Sequence, residues 1–291
     1  MSSERVFIIG GTGNIGAKVV NDLLDNKIPV TLYARSPEKV ASLFSSDLVN
    51  VVQGDYSDLS PLKEGIKGHT RLFLLVGDFR DFVSTKKTIA TYAYEAGVQQ
   101  IVDISSFSVN MGWRTSVIGS HHYYGEKAIY DIPNRGYLVA LRPGRFMSNH
   151  FGMTRPIADQ GVYDSCDPNL PQGWISPNDI GAVAAVVLRE DVNKHMDAVY
   201  NLTGDVVTSA ERAAIFSRIT GQDIKYIQIS PVQKYHKTME SGHFPHLFGI
   251  DFADNLDSND DSKVTPSIEI LLGRKPETLE EYLTANKDKM Q

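Results

Sequence analysis

Cysteine is almost absent from this chain, whose 291 residues include one, Cys166. A lone thiol excludes an internal disulfide framework and fits a reducing compartment. Excess positive charge is missing too. The 29 Lys and Arg against 35 Asp and Glu give a formal net charge of -6, and the basic residues form no cluster, which argues against a nucleic-acid partner. No apolar run is long enough to span a bilayer. The opening Met1-Ser2-Ser3-Glu4-Arg5 leads straight into an apolar stretch, so no signal peptide is expected. A hydrophobic share of 42% and a charged share of 22% are ordinary for a globular chain. Together these absences point to a cytoplasmic protein with no membrane association.

What is present begins at once. Val6-Phe7-Ile8-Ile9 is followed by Gly10-Gly11-Thr12-Gly13-Asn14-Ile15-Gly16, which reads both as GxxGxxG and as GxGxxG. The apolar residues Ile15, Val19, Leu23 and Leu24 then recur at helical spacing. A strand turning sharply into a helix leaves free N–H groups and a partial positive charge at the helix start, a seat for phosphate. Glycine in the turn lets a diphosphate approach the backbone. The motif in this context predicts a dinucleotide site.

The second strand, Pro29-Val30-Thr31-Leu32-Tyr33, leads to Ala34-Arg35-Ser36-Pro37-Glu38-Lys39. Sites that prefer NAD usually carry an acid at the tip of this strand for the ribose hydroxyls. Here there is Arg35 and no acid before it. A guanidinium suits the additional phosphate of NADP, and Lys39 adds a second positive charge, so the expected cofactor is NADP(H).

Further apolar runs at Val49–Gln53, Arg71–Val76, Gln100–Ile104 and Tyr137–Leu141 alternate with stretches long enough for crossover helices, such as Phe82 to Ala96. This alternation predicts an α/β fold with a doubly wound parallel sheet. The expected division is a cofactor-binding domain over residues 1–150 and a smaller C-terminal substrate lobe over 151–291. Segments from about 178 to 204 are expected to return to the main sheet. Asn149 to Trp174 reads as loops, and Asp251 to Lys263 as a surface loop. Helix starts are expected at Ser176-Pro177-Asn178-Asp179, and capping boxes at Thr208–Glu211 and Thr278–Glu281.

The glycine motif, Arg35, Gly54-Asp55 and the stretch from Leu141 to Asn149 with its Arg142-Pro143-Gly144-Arg145 resemble the NmrA-like branch of atypical short-chain dehydrogenases. So do Trp174 to Gly181, Tyr200 to Gly204, and Gly273-Arg274-Lys275-Pro276. The resemblance covers nearly the whole chain and implies a Rossmann fold. It implies that Thr12, Gly13, Asn14 and Ile15 line the diphosphate and that Asp55 and Tyr56 lie beside the adenine. Val76 and Gly77 would approach the nicotinamide, with Pro143 walling that pocket. The family holds reductases of quinones, dyes, imines and phenylpropanoid-type substrates, and also proteins that only sense NADP(H). Both a reductase of a small apolar or aromatic electrophile and a non-catalytic sensor therefore stand as expectations, the reductase being preferred.

Short-chain dehydrogenases commonly carry Tyr four residues before Lys on one helix. The Lys binds the nicotinamide ribose and lowers the Tyr pKa, and the Tyr protonates the carbonyl oxygen. Tyr123 and Lys127 have that spacing within His121-His122-Tyr123-Tyr124-Gly125-Glu126-Lys127, and Ser105 or Ser106 would add a hydroxyl. Many NmrA-like proteins instead carry His followed four residues later by Glu, and His122 with Glu126 fits that pattern equally. His243 and His246, with His236 nearby, show HxxH spacing without a convincing third ligand, so no metal is expected. Phe244, Leu247, Phe248 and Phe252 read either as lobe core or as lining of a substrate pocket, core being slightly preferred. Trp113, Phe151, Met153 and Trp174 read as pocket lining for a flat apolar substrate.

Overall fold

The computed structural model describes residues 4–152, 161–242, 244–253 and 262–290. Six strands of the first half are β1 (Val6–Ile9), β2 (Val30–Ala34), β3 (Val49–Gln53), β4 (Arg71–Leu74), β5 (Gln100–Ile104) and β6 (Tyr137–Pro143). Between them run helices α1 (Asn14–Asp25), α2 (Pro37–Leu43), α3 (Ser60–Gly65), α4 (Phe82–Glu95) and α5 (Val117–Tyr130). After β6 come β7 (Arg145–Phe146), β8 (Gly161–Asp164), β9 (Pro171–Ile175), α6 (Pro177–Arg189), α7 (Val192–His195) and β10 (Val199–Leu202). The chain continues through β11 (Asp205–Thr208), α8 (Ser209–Thr220), β12 (Lys225–Gln228), α9 (Pro231–Glu240), α10 (His246–Ala253), α11 (Ser267–Leu272) and α12 (Leu279–Ala285).

Seven strands form one sheet in the order β10-β6-β5-β4-β1-β2-β3. Every neighbouring pair is parallel. The expected doubly wound α/β fold is therefore present, and its strand order reverses between β1 and β4. The alternation of side chains along each strand fills two cores. Val6, Ile8, Phe73, Val102 and Val139 face α1 and α6, while Phe7, Ile9, Leu72, Leu74 and Ile101 face the other layer with Ile89 and Ala93 of α4. Helices α1 and α6 touch closely, since a Cβ on Gly181 would lie 2.6 Å from Lys18 Cβ. β10 pairs with β6 across Leu202 and Pro143, so the sequence returns to the sheet edge after leaving it.

Between Asn149 and Trp174, where loops were expected, lie strands β8 and β9. β9 pairs with β7 and with β11, and β8 pairs with β12. Each is four or five residues with partners from distant segments, too short for a period to show. Their shared core holds Met147, Val162, Trp174, Val207, Phe216 and Leu283. The three helix starts form as the sequence implies. Ser176 accepts from Asn178 N–H, and Thr208 and Thr278 form capping boxes with Glu211 and Glu281. Of the stretch read as a surface loop, Asp251 to Ala253 complete α10, and 254–261 lie outside the described residues. His243 and Met153 lie outside them as well.

One charged pair sits within the second core. Lys86 of α4 and Asp103 of β5 are both fully buried, with Nζ 2.7 Å from Oδ1 and 2.9 Å from Oδ2. Nζ also donates to the Ile104 carbonyl at 3.1 Å. Burial pushes the Asp103 carboxyl up to about 6, and Lys86 opposes that rise. Removing one partner leaves the other charge buried and unpaired. Lys86→Met is expected to cost about 3–5 kcal/mol of stability, read as a lower urea midpoint, while adding Asp103→Leu restores much of it. Equal destabilisation by both variants would contradict this.

Candidate functional site

The turn from β1 into α1 is held by backbone contacts. Gly10 has φ +81°, and a Cβ on Gly16 would fall 2.2 Å from the Gly10 carbonyl oxygen. Those two glycines are required by the protein itself. Gly13 is different: a Cβ there would meet only the Gly10 oxygen, at 3.6 Å, which is ordinary contact. Its missing side chain leaves open space in front of the helix rather than relieving a clash inside it. Gly13 is also the N-cap of α1, with no side chain capping the helix and no acid in its first turn. The first N–H groups of α1 are thus left to an external acceptor. Gly13 and Asn14 are exposed, Thr12 is half-buried, and Gly11, Ile15 and Gly16 are buried beneath them. A diphosphate-bearing cofactor fits this cradle.

Arg35 follows β2 directly and is exposed, with no carboxylate at ion-pair distance among the described residues. Lys39 lies exposed in the first turn of α2, its N–H donating to the Ser36 cap at 3.2 Å. Beyond β3, the Tyr33 hydroxyl donates to the carbonyls of Asp55 and Asp58 at 2.7 and 3.1 Å, fixing the Asp55–Tyr56 turn. The Asp55 carboxylate is exposed and engaged by Ser57, whose N–H and hydroxyl donate at 2.8 and 2.5 Å. Tyr56 is half-buried. Burial pushes its hydroxyl up to about 12, with Arg35 opposing and Asp78 adding to the rise. Arg35, Tyr56 and Asp78 therefore share one neighbourhood across the ends of β2, β3 and β4. Val76 is buried, and Gly77 is exposed with no atom within 4 Å of a Cβ built on it. Pro143 ends β6 buried.

The helix expected to carry Tyr and Lys presents a different face. His122, Gly125 and Ile129 are buried, and Gly125 would bring a Cβ within 3.3 Å of Lys86 Cδ and Phe82 Cε1. Glu126, one turn after His122, receives the Ser105 hydroxyl and a forked contact from Arg142 at 2.9 and 2.6 Å. Arg142 also donates to Asn110 Oδ1 at 2.8 Å, and Asn110 donates to Asn201 Oδ1 at 2.8 Å. Tyr123 is 42% exposed, and Lys127 lies outside with its Nζ 2.6 Å from Asp131. Tyr123 and Lys127 thus lie on the exposed face of α5. Each residue of a helix turns about 100°, so the stripe one position later than His122 and Glu126 points outward. Ser105 is buried and its proton is committed to Glu126. Ser106 caps the following turn by accepting from Ser108 N–H. His122 has no partner for Nδ1; burial, then Lys86 and His121, hold its imidazole well below the usual range, so it is neutral.

Several aromatic assignments change. Trp113, in the connection between β5 and α5, is 70% exposed and donates to the Tyr124 hydroxyl at 2.8 Å. Trp174 and Phe151 belong to the small core of the second half. Phe248, read as lobe core or pocket lining, reaches Phe79 in the loop after β4 and His121 on α5. His246 accepts from the Tyr235 hydroxyl at 2.9 Å or donates to it. Among the described residues no three His, Cys, Asp or Glu gather as metal ligands. The network around Glu126 and the buried Lys86–Asp103 pair were missed. Their sequence signals are an Asp inside an apolar strand and glycines at 119 and 125 marking the inner face of α5.

No helix among the described residues is long and apolar enough to cross a membrane. The chain is 28% identical over 227 residues to a (4-alkanoyl-5-oxo-2,5-dihydrofuran-3-yl)methyl phosphate reductase of Streptomyces griseus, covering 77% of each. Its fold is similar to an NADPH-dependent quinone oxidoreductase of Escherichia coli solved with NADPH, at a TM-score of 0.83 and 21% identity over 97% of this chain and 99% of that one. It is also similar to NmrA, a negative transcriptional regulator solved with NAD, at a TM-score of 0.78 and 16% identity over 98% and 95%. The family model for the NmrA-like family matches residues 2–285, and the chain belongs to that family.

Proposed function

We propose that this chain is an NADPH-dependent reductase that passes a hydride to a small, largely apolar electrophile, a quinone, carbonyl, imine or enone. The observation that carries the reading is the open, uncapped start of α1 at Gly13 with the exposed Arg35 beyond β2. Gly10, Gly11, Thr12, Gly13, Asn14, Ile15 and Gly16 form the diphosphate seat. Arg35 and Lys39 hold the additional phosphate, Asp55 and Tyr56 border the adenine, and Val76, Gly77 and Pro143 border the nicotinamide. Bound there, the cofactor supplies the hydride. The protein's part is to hold the acceptor carbon close and in line, which supplies much of the acceleration. The second half, residues 151–291, contributes substrate contacts. The relatives support this reading, since the Streptomyces protein is a reductase.

The outward stripe of Tyr123 and Lys127 favours a second reading, an NADP(H) sensor without turnover. A panel of quinones, aldehydes, imines and enones separates the two. NADPH oxidation by at least one acceptor is expected; tight NADPH binding with uniform inactivity would establish the sensor. Tyr123→Phe is expected to keep most turnover, because Tyr123 stands on the exposed face of α5 and Lys127 is paired with Asp131.

Two substitutions test the seat. Gly13→Ala is expected to shift stability by less than about 1 kcal/mol yet weaken NADPH binding by about tenfold or more, the scale of one lost charge-assisted hydrogen bond. Arg35→Ala is expected to weaken NADPH by about tenfold to a hundredfold while leaving NADH within about twofold, measured by calorimetric titration. Equal loss for both coenzymes would overturn the NADP assignment.

A further inference from the structure

Three rings from three separate elements meet beside the end of β4. Phe79 lies two residues beyond Gly77, in the loop pinned by the forked Arg80–Asp78 pair. It stacks on the buried Phe82 with ring centres 5.0 Å apart and planes at 11°. His121, in the second turn of α5, stands edge-on to Phe79 at 5.5 Å. Phe248, carried on α10 from the second half, stands edge-on to Phe79 at 5.2 Å and tilted to His121 at 6.5 Å. Phe79, His121 and Phe248 are only partly buried, unlike Phe82 beneath them.

The position matters because β4 borders the point where strand order reverses, and ligands of open α/β sheets sit outside that crevice. The polar character of the cluster is also specific. His121 Nδ1 lies 2.8 Å from the Val117 carbonyl, which can only accept, so Nδ1 carries a proton. Nε2 has no hydrogen-bond partner among the described residues and is left as the single polar edge of an otherwise apolar group of rings. Rings arranged edge-to-face present partly positive edges and partly negative faces, which favours a flat π-system over an aliphatic chain.

We propose that Phe79, His121 and Phe248 determine specificity by holding a planar aromatic acceptor that carries an oxygen or nitrogen on its rim, with His121 Nε2 turned to that heteroatom. This rests on the reductase reading and names its substrate class. The acceptor gains a hydride from the reduced nicotinamide and a proton from solvent, and the nicotinamide is left oxidised. The rings act by binding, so their effect appears in acceptor affinity and not in cofactor affinity.

The test uses the full chain loaded with NADP+, with menadione as the planar probe and 2-cyclohexen-1-one as the non-aromatic one. Phe248→Ala is expected to raise the menadione Kd, by calorimetric titration, about threefold to tenfold, with a matching rise in KM. The cyclohexenone KM and the NADPH Kd are expected to stay unchanged, while the Tm falls with the loss of the ring contacts to Phe79, His121 and Phe252. Phe248→Leu, which keeps apolar volume without a ring, should show the same selective loss, and Phe248→Tyr should recover binding. Equal loss for both probes, or none, overturns the proposal and leaves α10 simply pinned to α5. A wild-type chain that reduces neither probe yet binds menadione through Phe248 would sink the reductase reading and leave the aromatic slot standing.

Discussion

Where β1 becomes α1, backbone presses on backbone with no gap for a side chain. The Gly10 carbonyl would lie 2.2 Å from any Cβ on residue 16, and Gly10 itself needs a left-handed φ. This contact sets the angle at which α1 leaves the sheet, and the rest follows from that angle. It lays α1 against α6 closely enough that Gly181 has to be small. It also aims the helix start, with its unpaired N–H groups, across the ends of β1 and β4. The exposed edge of the turn is then formed by Gly13 and Asn14, the positions whose shape the interior does not dictate.

On the other side of the crevice the controlling feature is the rotation of α5. Gly125 admits Lys86 and Phe82 at close range, which fixes His122, Gly125 and Ile129 as the inward stripe. Glu126 is drawn with them to Ser105 and Arg142, and Arg142 continues through Asn110 to Asn201. That network ties α5, β6 and β10 together near the carboxyl ends of the strands. The outward stripe is left to solvent, where Lys127 pairs with Asp131.

The fold was legible because each strand of the main sheet is a short apolar run. β3 and β5 begin and end where the composition shifts, and Ser176, Thr208 and Thr278 cap their helices through local contacts that spacing alone reveals. Legibility fails where the deciding partner is remote. β8 and β9 take their partners from β12 and from β7 and β11, and four residues carry no period. The choice between His122–Glu126 and Tyr123–Lys127 turns on one residue of helical phase. That phase is set by Lys86 and Phe82 on α4, some forty residues upstream in the sequence. Trp174 was misplaced for the same reason: loop membership says nothing about which way a ring turns once the segment packs into a core.

The ionisable groups under the crevice are almost all committed. Asp103 is matched by Lys86, and Glu126 is gripped by Arg142 while it takes the Ser105 proton. His122 is neutral because protonating it would put a charge in a desolvated space beside Lys86. Neither Asp103 nor Glu126 is free to give a proton to a reacting oxygen. A reductase built this way suits acceptors whose hydride adduct is tolerable as an anion until solvent protonates it. Delocalised ring systems have that property and simple aldehydes do not. The interior polar network then ties the strand ends together, beside the partly buried rings carried by α10 and the β4 loop.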